Sequence, residues 1–520
     1  FITAQINKMK SYHIIGICLL LLQSFTLVAQ DIKIETSLLE DKFSADASKN
    51  LGGDETGFYV ASFSSKYKFE VGFNATGSQT TLIIQKYSND LKLLAEKAIP
   101  QDDDESLEWP ILFNGDVYSI SRKYSKKTSS WNVYAQKLEP VKLYNSGAAA
   151  LLFNVKQEDD QLFLSLQIVE SADKKFIAFH AFPMQSLGRD YGDKLGNRFN
   201  SNITTIAVFG EGLVKQWEKN VVIPSTDDKY TPTQVSVDNN GDVYILGWRF
   251  MEGAKATKPN TIRAITSLHQ ISNKGAQMKN IDLVQQGVNF LDGLMAFDKA
   301  GNIIVSGVCS SADEANEMDA FYAFSVDKAS LSITNKSVKN FTQDFLDKIK
   351  LDKAFRIKLS LDELLLMDNG DFIFIIEEFA VSNTQSGTYF SCLTLITLGV
   401  DANAEIVWMN AVPKKQFSIE ADFTSYNFMQ NGDKLYLFYN GNSENLNAKN
   451  YRELEDYKIK NSQIMMVTIN SDGSYKKVVL PGDISAYHLR VTMSQQSADK
   501  KFIFFARDGK KEYIGTIKVN

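Results

Sequence analysis

Cysteine is scarce: the 520-residue chain has three, at positions 18, 309 and 392. A disulfide scaffold is excluded, and the two thiols beyond residue 30 cannot build a structural zinc site by themselves. Both Cys309 and Cys392 sit in apolar, strand-like runs, where buried free thiols are the expected outcome. Histidine is equally sparse. His180, His269 and His488 fall in separate segments with no ligand-like interval between them. There is no P-loop, G-x-S-x-G elbow, H-E-x-x-H, C-x-x-C or sialidase-type Asp-box, so several common catalytic chemistries lack their residues. Long apolar runs are missing too. Beyond residue 30 no stretch of 18 apolar residues occurs, so no transmembrane segment is expected in a mature chain.

The first thirty residues read as processing sequence. Phe1 to Lys8 lies upstream of the start Met9, and Met9-Lys10 opens a basic stretch. Ile14 to Leu22 is apolar, and Leu27-Val28-Ala29-Gln30 offers small residues for cleavage. That order is a secretory signal peptide, too short to span a bilayer. Cys18 is followed by more of the apolar run, which argues against a lipid-bearing cysteine. The division is therefore 1–30 as upstream residues plus signal peptide, and 31–520 as the working protein. Its expected location is across the inner membrane, in the periplasm or at the cell surface. Losing Lys8 and Lys10 with no acid moves the net charge from −6 to −8. That mild acidity argues against a nucleic-acid partner.

What the chain has in quantity is a repeat. A turn followed by β-formers recurs as Asn114-Gly115-Asp116-Val117-Tyr118, Asn240-Gly241-Asp242-Val243-Tyr244 and Ala300-Gly301-Asn302-Ile303-Ile304. It returns as Asn369-Gly370-Asp371-Phe372-Ile373 and Asn431-Gly432-Asp433-Lys434-Leu435. Asn-Gly supplies the positive φ of a two-residue hairpin, and the residues after it suit a pleated strand. Two copies replace the glycine turn: Ser171-Ala172-Asp173-Lys174-Lys175-Phe176 and Ser497-Ala498-Asp499-Lys500-Lys501-Phe502. A degenerate first copy lies at Gly53-Asp54. Anchors at 54, 115, 174, 241, 301, 370, 432 and 500 are spaced by 59 to 69 residues. In most periods a second hairpin follows, for example Ile203 to Phe209 leading to Leu213 to Ile223.

Four antiparallel strands per period describe a propeller blade. The expectation is an all-β fold, a single closed β-propeller of about eight four-stranded blades. Seven is the alternative, because the first period is the least regular. The last period ends after its third strand, Glu512 to Val519, while Ile32 to Glu35 opens the chain as a lone strand. That N-terminal strand is expected to complete the last blade and seal the ring.

The Gly-Asp/Asn-Val-Tyr-Ile-Leu-Gly segments resemble β-propeller repeats of bacterial exported proteins. Ser-Ala-Asp-Lys-Lys-Phe-Ile-Ala-Phe resembles the WD40-like repeats of TolB-type propellers. The order of elements is similar to that of uncharacterised secreted proteins of Bacteroidota. That likeness rests on Leu213-Val214-Lys215-Gln216-Trp217-Glu218-Lys219, on the insertion Phe341 to Lys353, and on Ile406-Val407-Trp408 continuing into Lys414-Lys415-Gln416. The resemblance implies a fold and no catalytic residue.

With strands A to D counted outward, A–B and C–D turns share one face and B–C and D–A connections the other. Near-uniform two-residue A–B turns predict a plain first face. The second is expected to receive every long polar segment, including Pro183 to Asn202, Asn440 to Asn461, Gln101 to Ser106, Ser225 to Thr231 and Phe341 to Lys353. Long loops on a rigid scaffold are where binding usually resides. Candidate binding residues are Arg122, His180, Arg249, Glu377, Glu378, Asn440 and Arg507, each six to eight residues past its anchor, with Arg189, Asp190 and Tyr191 in the longest loop. The plainer reading is that strands become polar as they leave the core.

Glu377-Glu378 is the most enzyme-like pair, but adjacent strand residues point to opposite faces, and a solvated strand end explains them better. Asp102-Asp103-Asp104-Glu105 reads as a solvated acidic turn, without the glycine and spacing of a calcium loop. Asp238 to Asp242 belongs to a hairpin turn, and the five tryptophans read as strand packing. No catalytic residue, cofactor or metal is called for. The leading expectation is a non-enzymatic binding or scaffolding propeller that engages a protein or glycan of the cell envelope through its loop-bearing face. The runner-up is a polysaccharide hydrolase or lyase with carboxylates at the axial channel; a calcium-stabilised structural protein is a third reading.

Overall fold

A computed structural model describes residues 32–39 and 47–519, apart from 55, 70–74, 103, 157–162, 185–199, 226–228, 251–263, 311–317, 350–357, 385–386, 458–461, 482–483, 485–486 and 498–499. The chain folds into eight antiparallel sheets of four main strands. Blade one is Ala47–Asp54, Gly57–Phe69, Ala75–Tyr87 and Leu93–Pro100. In blade two the inner strand is split into Glu105–Leu107 and Ile111–Phe113, followed by Asp116–Ser125, Ser130–Leu138 and Ala150–Lys156. Blade three is Phe163–Glu170, Ile177–Met184, Ile203–Gly210 and Val214–Val222. Blade four is Lys229–Val237, Val243–Phe250, Ala264–Ser272 and Gln277–Asp282, with Asn200–Ser201 added on its inner edge. Blade five is Asn289–Phe297, Ile303–Ser310, Ala320–Asp327 and Ser332–Asn340. Blade six is Lys358–Leu366, Phe372–Thr384, Gly387–Val400 and Ile406–Val412, and Gln416–Ser418 pairs with its third strand. Blade seven is Asn427–Asn431, Lys434–Asn442, Ser462–Ile469 and Tyr475–Val479.

Blade eight closes the ring. Its first three strands are His488–Gln496, Phe502–Asp508 and Lys511–Val519, and its outer strand is Ile32–Leu38, paired from Ile32 with Val519 to Leu38 with Tyr513. The expected closure by the N-terminal strand is therefore what the chain does, with eight blades rather than seven.

Neighbouring blades stack face to face. Each adjacent pair shares one apolar cluster, and the eighth and first are joined by Phe58, Val60, Met493 and Phe505. Burial on both sheet faces explains why B strands read as continuous apolar runs rather than alternating ones. All eight residues of Ile303–Ser310 are buried, whereas the outer strand Val214–Val222 shows only Trp217 and Val221 to the core. At the axis, inner strands of neighbouring blades touch. Glutamine amides extend that pairing: Gln234 Nε2 donates to Met295 O at 3.0 Å and Gln234 Oε1 accepts from Met295 N at 2.6 Å. Gln430 and Gln496 make the same reciprocal clasp between blades seven and eight.

Two expectations about the turns are corrected. Among the described residues, the A–B connections at Phe113–Asp116 and Asn431–Lys434 are two-residue hairpins, and in blade one Asp54 pairs directly with Gly57. The others are longer. In blades four, five, six and eight they close alike: Asp238 N donates to Asp242 O and Gly241 N donates back to Asp238 O, and Ser497–Lys501 repeats the pattern. In blade three Ser171 N reaches one residue further, to Phe176 O. One residue, Gly241, Gly301 or Gly370, takes the left-handed conformation, and Lys174 and Lys500 take it where glycine is absent. In blades four, five, six and eight this is the three-residue turn with a left-handed residue at its end; in blade three one further residue, Lys175, follows the left-handed Lys174. The turn face is also not uniformly plain, since the C–D connection of blade two, between Leu138 and Ala150, lies on it and buries Leu143.

Candidate functional site

The B strands run from the A–B turns to the loop-bearing face, so residues in their second halves approach that rim. Arg122, Arg249, Asn440 and Arg507 lie there, whereas His180, Glu377 and Glu378 sit near the middle of their strands. Arg122 Nε pairs with Glu108 at 2.7 Å and stacks on Trp131. Arg249 Nε donates to Asp282 Oδ1 at 2.9 Å within blade four. Arg507 Nη2 donates to Glu420 Oε2 at 2.7 Å. These three arginines remain partly exposed. His180 is buried against Phe182 with Nδ1 3.1 Å from Gln167 Oε1, and burial pushes its pKa down to about 3. Arg189, Asp190 and Tyr191 lie outside the described residues.

Glu377 and Glu378 are not a solvated strand end. Both are buried. A buried carboxylate is tolerated only with a partner, and Glu377 finds Lys414, whose ammonium pairs with Glu377 Oε1 and donates to Gln416 Oε1 at 2.8 Å. Ser425 Oγ donates to Glu377 Oε2 at 2.7 Å. Sequence reasoning weighed the glutamates and missed the lysine.

Lys414 is the second residue of a connection, residues 413–426, that crosses blades six to eight on the loop-bearing face. Buried Asn440 holds its far end: Nδ2 donates to Phe423 O at 2.9 Å and to Leu489 O at 2.7 Å, while Oδ1 accepts from Leu489 N. Arg490 forks onto Glu512 and reaches Asp422 at 2.9 Å. Phe423 lies beneath Arg507 at 4.3 Å and Arg490 at 5.2 Å. Toward solvent the same connection shows Phe417 and Ile419, and Val381 at the end of the blade-six B strand is likewise exposed. Gln416–Ser418 forms a third strand beside the Val381 hairpin.

The inner strands carry the other carboxyl groups. Five of them bulge by at least one residue, in blades one, four, five, six and eight, and bulges re-aim side chains. In blade six the extra residue is Asp362, which accepts from Ser360 Oγ at 2.7 Å and Tyr426 Oη at 2.8 Å. Burial pushes Asp362 up to about 6. Glu363 is open to solvent yet has protein on most sides, and burial followed by the neighbouring Asp362 charge lifts it to about 7. Burial also raises Asp292 to about 6. Among the described residues no group of three or more His, Cys, Asp or Glu is placed to hold a metal ion. Cys309 and Cys392 are free and buried in different blades, and burial first of all pushes both thiols up to about 12. Trp217 and Trp408 bond to carbonyls of the next blade, as strand packing predicts.

The protein is thus an all-β, eight-bladed propeller with a pinned, apolar-tipped loop on one face. No protein-family model and no curated protein matches the chain. Among solved structures it is similar to the β-propeller domain of the Trilobed protease from Pyrococcus furiosus, at 10% identity over 85% of this chain and 98% of that one, with a TM-score of 0.34. An oligogalacturonate lyase from Vibrio parahaemolyticus is 9% identical over 94% of this chain and 98% of that one, with a TM-score of 0.34. A protein of unknown function from Dyadobacter fermentans is 12% identical over 70% and 96%, with a TM-score of 0.30. At these values no residue role or activity transfers. Among the described residues, no helix is long and apolar enough to cross a membrane.

Proposed function

We propose that this propeller is a binding or scaffolding protein of the cell envelope, exported by its leader, that engages a protein partner through the loop-bearing face. The observation that carries the reading is the 413–426 connection. It is held by buried charged and amide groups, and it presents Phe417 and Ile419 to solvent. A rigid loop bearing apolar side chains on its outer surface suits an interface, because little ordering entropy is lost on docking. The partly exposed Arg122, Arg249 and Arg507 supply polar rim anchors, and Arg189, Asp190 and Tyr191 are further candidates in the long loop of blade three.

The alternative, hydrolysis or lysis of a polysaccharide by channel carboxylates, draws on Asp362 and Glu363, whose raised pKa values suit proton transfer near neutrality. The enzyme-like pair of the sequence is spent differently, since Glu377 is neutralised by Lys414.

One set of variants separates the two. A photo-reactive residue at position 419 should cross-link one envelope protein, and Phe417→Asp in the same chain should abolish that product while leaving thermal stability unchanged. Depolymerisation of acidic or neutral polysaccharides, lost in Glu363→Gln and retained in the loop variant, would reverse the assignment. A glycan that binds wild type and not the loop variant would keep the face and change the partner.

A further inference from the structure

Asn-Gly pairs occur at Asn114, Asn240, Asn369, Asn431 and Asn440, four of them in the repeated turn. Beyond shaping turns, such a pair is chemically reactive. The glycine amide nitrogen can attack the asparagine side-chain carbonyl carbon, because no Cβ on the glycine blocks the approach. In a folded chain the step is gated by whatever holds that nitrogen and that side chain, since the two must first turn toward each other.

The five pairs are held very differently. Gly241 N is committed to Asp238 O at 3.0 Å and Gly370 N to Met367 O at 3.0 Å. Asn369 is bound further: Nδ2 donates to Asp371 Oδ2 at 2.7 Å, and Oδ1 accepts from Asp371 N at 3.0 Å. Asn431 Nδ2 donates to Val519 O at 3.1 Å. Asn440 is buried and spends its whole amide on Phe423 and Leu489. Asn114 and Gly115 are the exception. Both are exposed, in the two-residue turn between Phe113 and Asp116. Among the described residues neither the Asn114 side chain nor Gly115 N makes a hydrogen bond. A Cβ built on Gly115 would meet nothing within 4 Å, so the space around the turn is open. Asn114 takes a φ of 51°, as this turn requires. Attack needs the Asn114–Gly115 peptide to swing out of that conformation, and no hydrogen bond of either reacting group resists it.

We propose that Asn114 is a site of spontaneous deamidation in the folded protein, and the first of the five to react. Solvent base takes the proton of Gly115 N as the nitrogen bonds to Asn114 Cγ. The Cγ–Nδ2 bond then breaks, ammonia leaves, and a succinimide ring closes over the two residues. Water opens the ring at either carbonyl. Cleavage at the side-chain carbonyl leaves an aspartate at position 114, and cleavage at the main-chain carbonyl leaves an isoaspartate. Either product adds a negative charge beside Asp116, whose carboxylate already accepts from Lys137 Nζ at 2.7 Å and Tyr118 Oη at 3.2 Å. The isoaspartate also inserts a methylene into a turn whose length sets the register of its hairpin. This turn lies on the face opposite residues 413–426, so the proposal is independent of the docking surface.

Peptide mapping by mass spectrometry, on the full protein incubated in mildly alkaline buffer, reads all five sites in one sample. A parallel incubation in urea gives the unfolded rates, which should be similar for the five. In the folded protein Asn114 should react about tenfold or more faster than Asn240 and Asn369, the worth of one turn hydrogen bond that must break first. Its rate should rise with pH, and aspartate and isoaspartate should both form. The proposal is overturned if folding protects Asn114 as strongly as Asn240 or Asn369, or if another pair reacts first. Aspartate without isoaspartate would equally overturn it, since that product comes from direct hydrolysis with no ring.

Discussion

Lys414 and Glu377 are each almost wholly buried, and what holds them there is mutual neutralisation. Removing one partner strands the other charge in a medium that solvates it poorly. Lys414→Met should therefore destabilise the protein by about 3–5 kcal/mol in urea unfolding, and adding Glu377→Leu should restore much of the loss. An equally unstable double variant would mean that shape, not charge, sets the cost. Two titrations oppose each other at this scale. Burial holds the folded-state pKa of His180 near 3, below its unfolded value, so its contribution is complete above about pH 6.5 and is lost as pH falls toward 3. Glu363 is raised to about 7, so its contribution is present below about pH 4.5 and lost as pH rises through 7. Glu363→Gln should therefore match wild type at pH 4 and exceed it at pH 8, while His180→Gln should flatten the acid side of the stability profile. The equal offsets of these residues from their turns were legible in the sequence. The burial of Glu377 was not, because it depends on Lys414 and Ser425, which come into reach only when a later connection folds back.

At the scale of the element, the repeated turn shows what local sequence determines. Gly241, Gly301 and Gly370 stand at the left-handed position, and the same backbone persists at Lys174 and Lys500, with φ of 57° and 58°. Tertiary packing thus imposes the turn on residues that disfavour it. Lys500→Gly should relieve this strain and stabilise the protein by roughly 1 kcal/mol in urea unfolding. Gly241→Ala should do the reverse, because the added Cβ meets the Phe176 ring at 3.2 Å in a strained backbone. No gain from Lys500→Gly would mean that the lysine side chain compensates. Strand content and the order of hairpins could be read from β-formers and Asn-Gly pairs. Turn length could not, since Asn-Gly occurs in both the two-residue Asn114-Gly115 hairpin and the longer turn at Gly241. The inner-strand bulges that place Asp362 are also silent in sequence, because one extra residue in a polar strand leaves no mark.

For the whole molecule, the even spacing of eight anchors carried the architecture, and the missing fourth strand of the last period pointed to its donor. Ile32 and Ile34 pack on the apolar cluster that also joins blades seven and eight, so closing the ring and completing that core are one event. Which loops stand together on the loop-bearing face followed from the blade topology, whereas the reach of residues 413–426 across three blades required knowing how those blades meet. Closure is the claim on which the proposed docking surface depends, because it is assembled from neighbouring blades. Hydrogen exchange of the intact protein tests it most directly. Paired amides of Ile32–Leu38 should be protected to the same degree as those of Lys511–Val519 and lose protection together with them in denaturant. Exchange of Ile32–Leu38 at the rate of an unstructured chain, with Lys511–Val519 still protected, would contradict the closed ring.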